Sequence, residues 1–250
     1  MRYVVIIPSG GGDRLDVCLD SIDPEIRKNV LIYKNAPGIV ERDDVFGYGG
    51  TGVNDGVSAG WNYGAEFILE YRWDYVIIVS QHVVFTDGMR DFVAELENNK
   101  PEYGVISTEG WHCIALSRKT LEMVGLFDTN FYPIYYEDTD YELRLYKAGI
   151  INELYEFNLA SEKTPGGYST TLGMRPEVEG CKRYFIEKWG EIFSYVDYEK
   201  QTFFEHPFNN PENDIKYFPQ HTTEELIKIQ GYDKRMYDLY ITDVRDKATL

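Results

Sequence analysis

Residues 3–37, YVVIIPSGGGDRLDVCLDSIDPEIRKNVLIYKNAP, decide the fold class. Positions 3–7 are apolar and largely β-branched without alternation, the pattern of a strand buried on both faces. Pro8, Ser9 and three glycines end that run. Leu15, Val17, Cys18, Leu19 and Ile22 then recur at the spacing of a helix's apolar side. Val30, Leu31, Ile32 and Tyr33 form a second short strand, stopped by Lys34, Asn35, Ala36 and Pro37. Strand, loop, helix and strand in this order make the unit of a parallel α/β sheet. Ligands of such sheets bind beyond the carboxyl ends of strands, which puts Pro8, Ser9 and Asn35 at a candidate site.

Outward from this unit, positions 75–79 (YVIIV) read as the most strongly buried strand, delivering Ser80, Gln81 and His82 at its carboxyl end. A lone histidine is more often structural than a ligand, but a strand end in an α/β sheet favours the ligand role. Seven glycines fall in the eighteen positions 47–64, which fits a mobile surface loop leading into a helix over 65–71. The Gly-x-Gly-Gly-x-Gly run at 47–52 does not open a helix directly after a strand, so it is not a dinucleotide fingerprint. Further on, the pattern predicts a helix over 87–98, strands over 104–107 and 113–117, and a helix ending at Val124. A strand follows over 150–158, then a turn-rich loop over 164–171, a helix over 177–195, and an appendage from about 191 with a helix over 223–229.

Residues 125–149, GLFDTNFYPIYYEDTDYELRLYKAG, bring Glu137, Asp138 and Asp140 together just before a helical run that Gly149 stops. Two readings fit: a solvated helix N-terminus that favours acids, or a catalytic pocket with an aromatic wall. The bulk properties narrow the classes. A formal charge of −17 repels phosphate backbones and disfavours a nucleic-acid groove, though a modified base in DNA stays among the conceivable acceptors. The aromatic share of 15% suits a core, or stacking on bases and sugars. Cys18, Cys113 and Cys181 are odd in number and far apart, which reads as thiols in a reducing compartment. No apolar run is long enough for a membrane span, and the N-terminus enters a strand directly, so a cytoplasmic protein is expected.

Four stretches in order, IIPSGG at 6–11, NDGVSAGWNYG at 54–64, SQH at 80–82 and the acidic stretch at 125–149, together resemble inverting family-2 glycosyltransferases of the GT-A fold. The rhamnosyltransferase-like branch is nearest in pattern. The resemblance spans about residues 1–170 and implies a GT-A domain over 1–190, with residues 191–250 as an extension packing on it. It implies a UDP- or dTDP-linked sugar donor and a glycan or other hydroxyl acceptor. Pro8, Ser9, Asn35, Asn54, Gly56, Asn62, Ser80, Gln81 and His82 would line the donor, and Trp111 would stack on donor sugar or acceptor, or else sit in the core. The family's catalytic base falls on Asp138, Glu137 would hold sugar or acceptor hydroxyls beside it, and Asp140 would cap the helix. Crowding by Glu137 and Asp140 is expected to raise the proton affinity of Asp138.

The chain departs from the family where relatives carry Asp-x-Asp, having Ser80-Gln81-His82 instead. Two carboxylates that would hold Mn²⁺ or Mg²⁺ against a diphosphate are gone, leaving His82 as the candidate metal ligand. Alternatively His82 itself hydrogen-bonds the leaving phosphate, or the scaffold binds nucleotide sugars or carbohydrates without catalysis. A nucleotidyltransferase using the thin Gly10–Arg14 loop ranks last.

Overall fold

The computed structural model describes residues 1–163 and 176–189. The expected loop over 164–171, the appendage over 191–250 and its helix over 223–229 lie outside the described residues. β1 (Tyr3–Ser9), α1 (Asp13–Asp20), α2 (Pro24–Arg27) and β2 (Val30–Lys34) realise the opening unit, with β1 and β2 parallel from Val5 opposite Val30. Then come β3 (Gly47–Gly49), α3 (Val57–Tyr71), β4 (Tyr75–Val79), β5 (Val83–Phe85) and α4 (Arg90–Asn99). β6 (Gly104–Ser107), β7 (Gly110–Ser117), α5 (Arg118–Val124) and α6 (Glu137–Lys147) follow, and a 3-10 turn precedes β8 (Tyr155–Phe157), β9 (Ser161–Lys163) and α7 (Pro176–Trp189).

Seven strands form one sheet in the order β3-β2-β1-β4-β7-β6-β8, parallel except for β7, which runs against β4 and β6. β5 and β9 pair as a separate two-stranded ribbon. Alternation along β1 divides the interior. Val5 and Ile7 join α1 and α4 on one side, while Val4 and Ile6 join α3, α5 and α6 on the other. Fully buried on both faces, β1 and β4 carry the apolar runs that the sequence shows.

Glycines at 60 and 64 correct one expectation. α3 begins at Val57 rather than near 65, and β3 adds an edge strand inside the supposed loop. A Cβ at Gly60 would lie 2.8 Å from Pro8, and one at Gly64 would lie 2.7 Å from Ile6. These glycines let the helix sit directly on β1, and this close approach outweighs their poor helix propensity. Two further boundaries differ. β7 starts at Gly110, earlier than expected, and the strand expected over 150–158 is a 3-10 turn at Ile151–Glu153 followed by β8.

The topology builds one rim. Reversal of β7 brings its start beside the carboxyl end of β4, where the Ser80 N–H donates to the His112 carbonyl at 2.8 Å. On the other side the Asn35 N–H donates to the Ser9 carbonyl at 2.9 Å, joining the ends of β1 and β2.

Candidate active site

Ser9, fully buried, donates from Oγ to Gln81 Oε1 at 2.7 Å and accepts from the Gly11 N–H at 3.0 Å. The ends of β1 and β4 are thus tied by side chains, and Pro8 lies against α3 at Gly60. Among the described residues, a Cβ at Gly10 would meet nothing within 4 Å.

Asn35 donates to the Gly56 carbonyl at 3.1 Å and accepts from the Asp55 N–H at 3.2 Å. Asn54 Oδ1 accepts from the Gly56 N–H at 3.1 Å, closing a tight turn in which Gly56 has φ 91°. The acidic stretch clamps this turn from above. Tyr132 Oη donates to the Asn54 carbonyl at 3.0 Å, and the Val57 N–H donates to the Pro133 carbonyl at 2.9 Å. Asn62, buried within α3, donates to the Phe127 carbonyl at 2.8 Å and accepts from the Phe127 N–H at 2.7 Å. Asn35, Asn54, Gly56 and Asn62 therefore act together, fastening the start of α3 and the acidic stretch to the rim.

The chain enters α6 through Tyr135 and Tyr136, both left-handed at φ 88° and 70°. Bulky residues rarely adopt that conformation, and its concentration at a candidate site is a mark of imposed geometry. Glu137 and Asp138 stand on the first turn. Asp138, half-buried, accepts from the Thr139 N–H at 2.7 Å and from Thr139 Oγ1 at 3.3 Å. Burial raises its proton affinity, while the Thr139 bonds and the nearby His112 ring oppose the rise. The direction agrees with the expected one, but burial, not acid crowding, is the leading cause. Glu137 is 4% exposed, and its Oε2 has no hydrogen-bond partner among the described residues. Burial, and then the Asp138 and Asp140 charges, push its carboxyl well above the usual carboxylate range.

Asp140 corrects a further expectation, because it caps nothing. Tyr136 occupies the cap position of α6 and offers no side-chain cap bond. Fully buried, Asp140 instead accepts from Arg144 Nε at 3.0 Å, Lys188 Nζ at 2.6 Å and Trp189 Nε1 at 2.7 Å. Lys188 also reaches Asp128 Oδ2 at 3.0 Å, where Tyr184 Oη donates at 2.8 Å. These buried ions bolt α7 to the underside of the acidic stretch.

Trp111 stacks on Trp61 with centroids 5.8 Å apart and donates from Nε1 to Glu142 Oε1 at 2.6 Å. Edges of Phe127 and Tyr141 also pack on it. It is half-buried, so its contribution to the rim is an edge of an aromatic cluster.

Ser80, Gln81 and His82 lie half-buried at the end of β4, with the His82 N–H 3.4 Å from Ser80 Oγ. Arg14, from the first turn of α1, places Nη1 3.4 Å from His82 Nδ1. Burial first, then Arg14 and His112, pull the His82 ring down to about 4, so it is neutral at pH 7. The sequence reading missed His112 at this candidate site and named Arg14 only as the end of the thin Gly10–Arg14 loop. A polar line now runs along the rim from Arg14 through His82 and His112 to Asp138. Among the described residues no three His, Cys, Asp or Glu side chains gather where a metal ion could sit. With the Gln81 carbonyl engaged by Ser9 and His82 facing a guanidinium, the described residues do not fit a divalent-ion site.

The mannosyltransferase PcManGT from Pyrobaculum calidifontis, solved in complex with GDP-Man and Mn²⁺, superposes with a TM-score of 0.50 over 92% of this chain and 73% of its own, at 13% identity. The fold is GT-A-like. Its mixed, mostly parallel seven-stranded sheet flanked by helices matches the fold of that neighbour. Identity this low carries the fold alone. A cytidylyltransferase from Leptospira borgpetersenii serovar Hardjo-bovis overlaps at a TM-score of 0.40 with 13% identity, over 89% of this chain and 98% of its own. A197 from STIV overlaps at 0.36 with 15% identity, over 66% and 87% respectively. No family model and no curated protein sequence matches the chain. No helix among the described residues is long and apolar enough to cross a membrane.

Proposed function

We propose that this chain is an inverting glycosyltransferase of the hexosyltransferase type, moving a sugar from a nucleotide-diphosphate donor, UDP- or dTDP-linked, to an acceptor hydroxyl. The observation that carries the reading is Asp138. It is a half-buried carboxylate with raised proton affinity on the rim where the carboxyl ends of β1, β2 and β4 meet the start of α6. A complex of the mannosyltransferase neighbour with GDP-Man supports a nucleotide-sugar donor in general and brings GDP-linked sugars into the test.

In this reading the acceptor oxygen attacks the anomeric carbon from the face opposite the leaving group. The new carbon–oxygen bond forms as the bond to the diphosphate oxygen breaks, and that oxygen keeps the electron pair. The acceptor's proton passes to Asp138, which must be ionised to take it. Glu137, buried beside it with a proton affinity that burial and the Asp138 charge raise, would hold sugar or acceptor hydroxyls. The Ser9–Gln81 and Asn35–Gly56 bonds hold the donor-side backbone in place. The edge of Trp111 borders the sugar, and glycan hydroxyls are the acceptor class.

Replacement Asp138→Asn tests the assignment. It removes the proton acceptor at almost constant shape, so transfer should fall by about 100-fold or more while donor affinity stays within about threefold. Wild-type turnover in Asp138→Asn would remove the base assignment. Donor binding without turnover in the wild type would instead favour a catalytically silent nucleotide-sugar-binding protein.

A further inference from the structure

The outward side of α6 carries a second carboxylate besides Asp138. Along this helix Glu137, Asp140, Tyr141, Leu143, Arg144 and Leu145 are buried, whereas Asp138 and Glu142 are half-buried. Residues four apart on a helix are neighbours, so the two carboxylates share one side, with Cβ atoms about 5–6 Å apart. Glu137, on the same turn as Asp138, is 4% exposed and leaves Oε2 without a hydrogen-bond partner among the described residues. The start of α6 thus holds polar capacity that the fold does not use.

Glu142 Oε1 accepts from Trp111 Nε1 at 2.6 Å, and Glu142 makes no other hydrogen bond among the described residues. The bond pins an indole that packing already holds. Trp61 stacks on it at 5.8 Å with planes 21° apart, and Phe127 and Tyr141 meet it edge-on at 5.9 Å. Water or a backbone carbonyl would satisfy a half-buried indole N–H without desolvating an acid. Burial disfavours the charged form of Glu142, the Trp111 bond opposes that, and the Asp138 charge adds to it. A carboxylate kept there against its own burial cost is explained by a ligand for its second oxygen.

The chemistry of the pair fits a sugar. A pyranose presents C–H bonds on its ring face and hydroxyls around its edge. An indole packs against the first, and a carboxylate oxygen accepts from the second. A span of about 5–6 Å between neighbours on one side of a helix is also that of one pyranose ring with its substituents.

We propose that Glu142 and Trp111 form the subsite for an acceptor pyranose, Glu142 accepting a hydrogen bond from one hydroxyl while Asp138 takes the proton of another. The proposal rests on the reading of this chain as a glycosyltransferase and names its acceptor class. A hexuronic acid would bring a further negative charge beside Asp138 and Glu142, in a chain of formal charge −17, so the subsite selects a neutral sugar.

The test follows nucleoside diphosphate release by the full chain from UDP-, dTDP- and GDP-linked sugars. Methyl glycosides of neutral hexoses and of hexuronic acids serve as acceptors. The wild type should use neutral glycosides with kcat/KM at least about tenfold above that for the uronic acids. Glu142→Gln keeps the Trp111 bond through its amide oxygen and removes the charge. It should raise KM for the neutral acceptor roughly tenfold, the loss of a hydrogen bond to a charged group, with donor KM within about threefold. The same variant should narrow the discrimination against uronic acids, which an anchoring role towards Trp111 alone would not predict. Trp111→Phe should likewise raise acceptor KM and spare donor KM. An unchanged acceptor KM in Glu142→Gln, a donor KM that rises with it, or a wild type that prefers uronic acids would overturn the subsite and leave the transferase reading intact. No transfer to any glycoside by the wild type would overturn both.

Discussion

Asp138 and His82 hold their protons in opposite ways, and each leaves a trace in a pH profile. Burial raises the proton affinity of Asp138 above its ordinary value of about 3.9. Only the carboxylate can accept the acceptor's proton, so kcat/KM should fall as pH drops through that raised value, placing the acid limb above that of an ordinary aspartate. The Thr139 hydroxyl bond favours the ionised form, so Thr139→Ala should move the acid limb to higher pH in the same profile. An unmoved limb would mean that another group sets it. For His82 the folded ring titrates at about 4 against about 6.5 when unfolded. A depressed value of this kind gives stability that is fully present above the unfolded pKa and is lost as pH falls from there towards 4. The difference in urea midpoint between wild type and His82→Gln should therefore shrink over that window. The family resemblance of the acidic stretch singled out Asp138, which the spacing of the acids alone left open between a helix start and a pocket. His112 carried no local signal and Arg14 only that of a thin glycine-rich loop, because only the sheet order brings residues 14, 82, 112 and 138 to one rim.

Among the elements, α7 has the least obvious sequence role and the clearest structural one. Lys188 lies fully buried between Asp128 and Asp140, and Trp189 and Tyr184 complete the bonding of those two acids. Removing the ammonium would leave two buried carboxylates short of a counter-charge. Lys188→Met should then cost about 3–5 kcal/mol in urea unfolding, a loss typical of breaking a buried ion pair from one side. A change within experimental error would show that the cluster relaxes or takes up protons. Asp140 read as a helix cap because a first-turn acid has that meaning on its own, while two of its partners, Lys188 and Trp189, stand far along the chain on α7. The glycines of α3 misled in the same way. Their composition resembles a loop, while their purpose, contact with Pro8 and Ile6, exists only once β1 lies beneath them. The apolar runs of β1, β2 and β4 were legible since strands buried on both faces leave no polar positions to confuse the pattern. Gly60→Ala should cost about 1–3 kcal/mol by the same unfolding measurement, since its methyl group would press on Pro8.

For the molecule as a whole, the sheet separates two apolar layers, and a third apolar cluster forms where α7 meets the acidic stretch. All three cysteines are buried and reduced, Cys18 and Cys113 in one layer and Cys181 in the α7 cluster. Burial holds the Cys18 thiol up at about 12 and raises Cys113 well above its ordinary value. Native protein should thus resist a thiol reagent near pH 8 and release all three thiols on unfolding. Early reactivity of one thiol in Lys188→Met would identify Cys181 as the probe of α7 release. The net charge of −17 makes a local cation at the rim more consequential. The central claim is that this scaffold turns over a nucleotide sugar with Asp138 as its base. The most direct measurement follows UDP-, dTDP- and GDP-linked sugars by NMR, with acceptor glycans present, for wild type and Asp138→Asn side by side. The account predicts nucleoside diphosphate release with inversion at the anomeric carbon in the wild type, and donor binding without release in Asp138→Asn. Equal release by the two proteins, or a product that retains the donor's anomeric configuration, would contradict it.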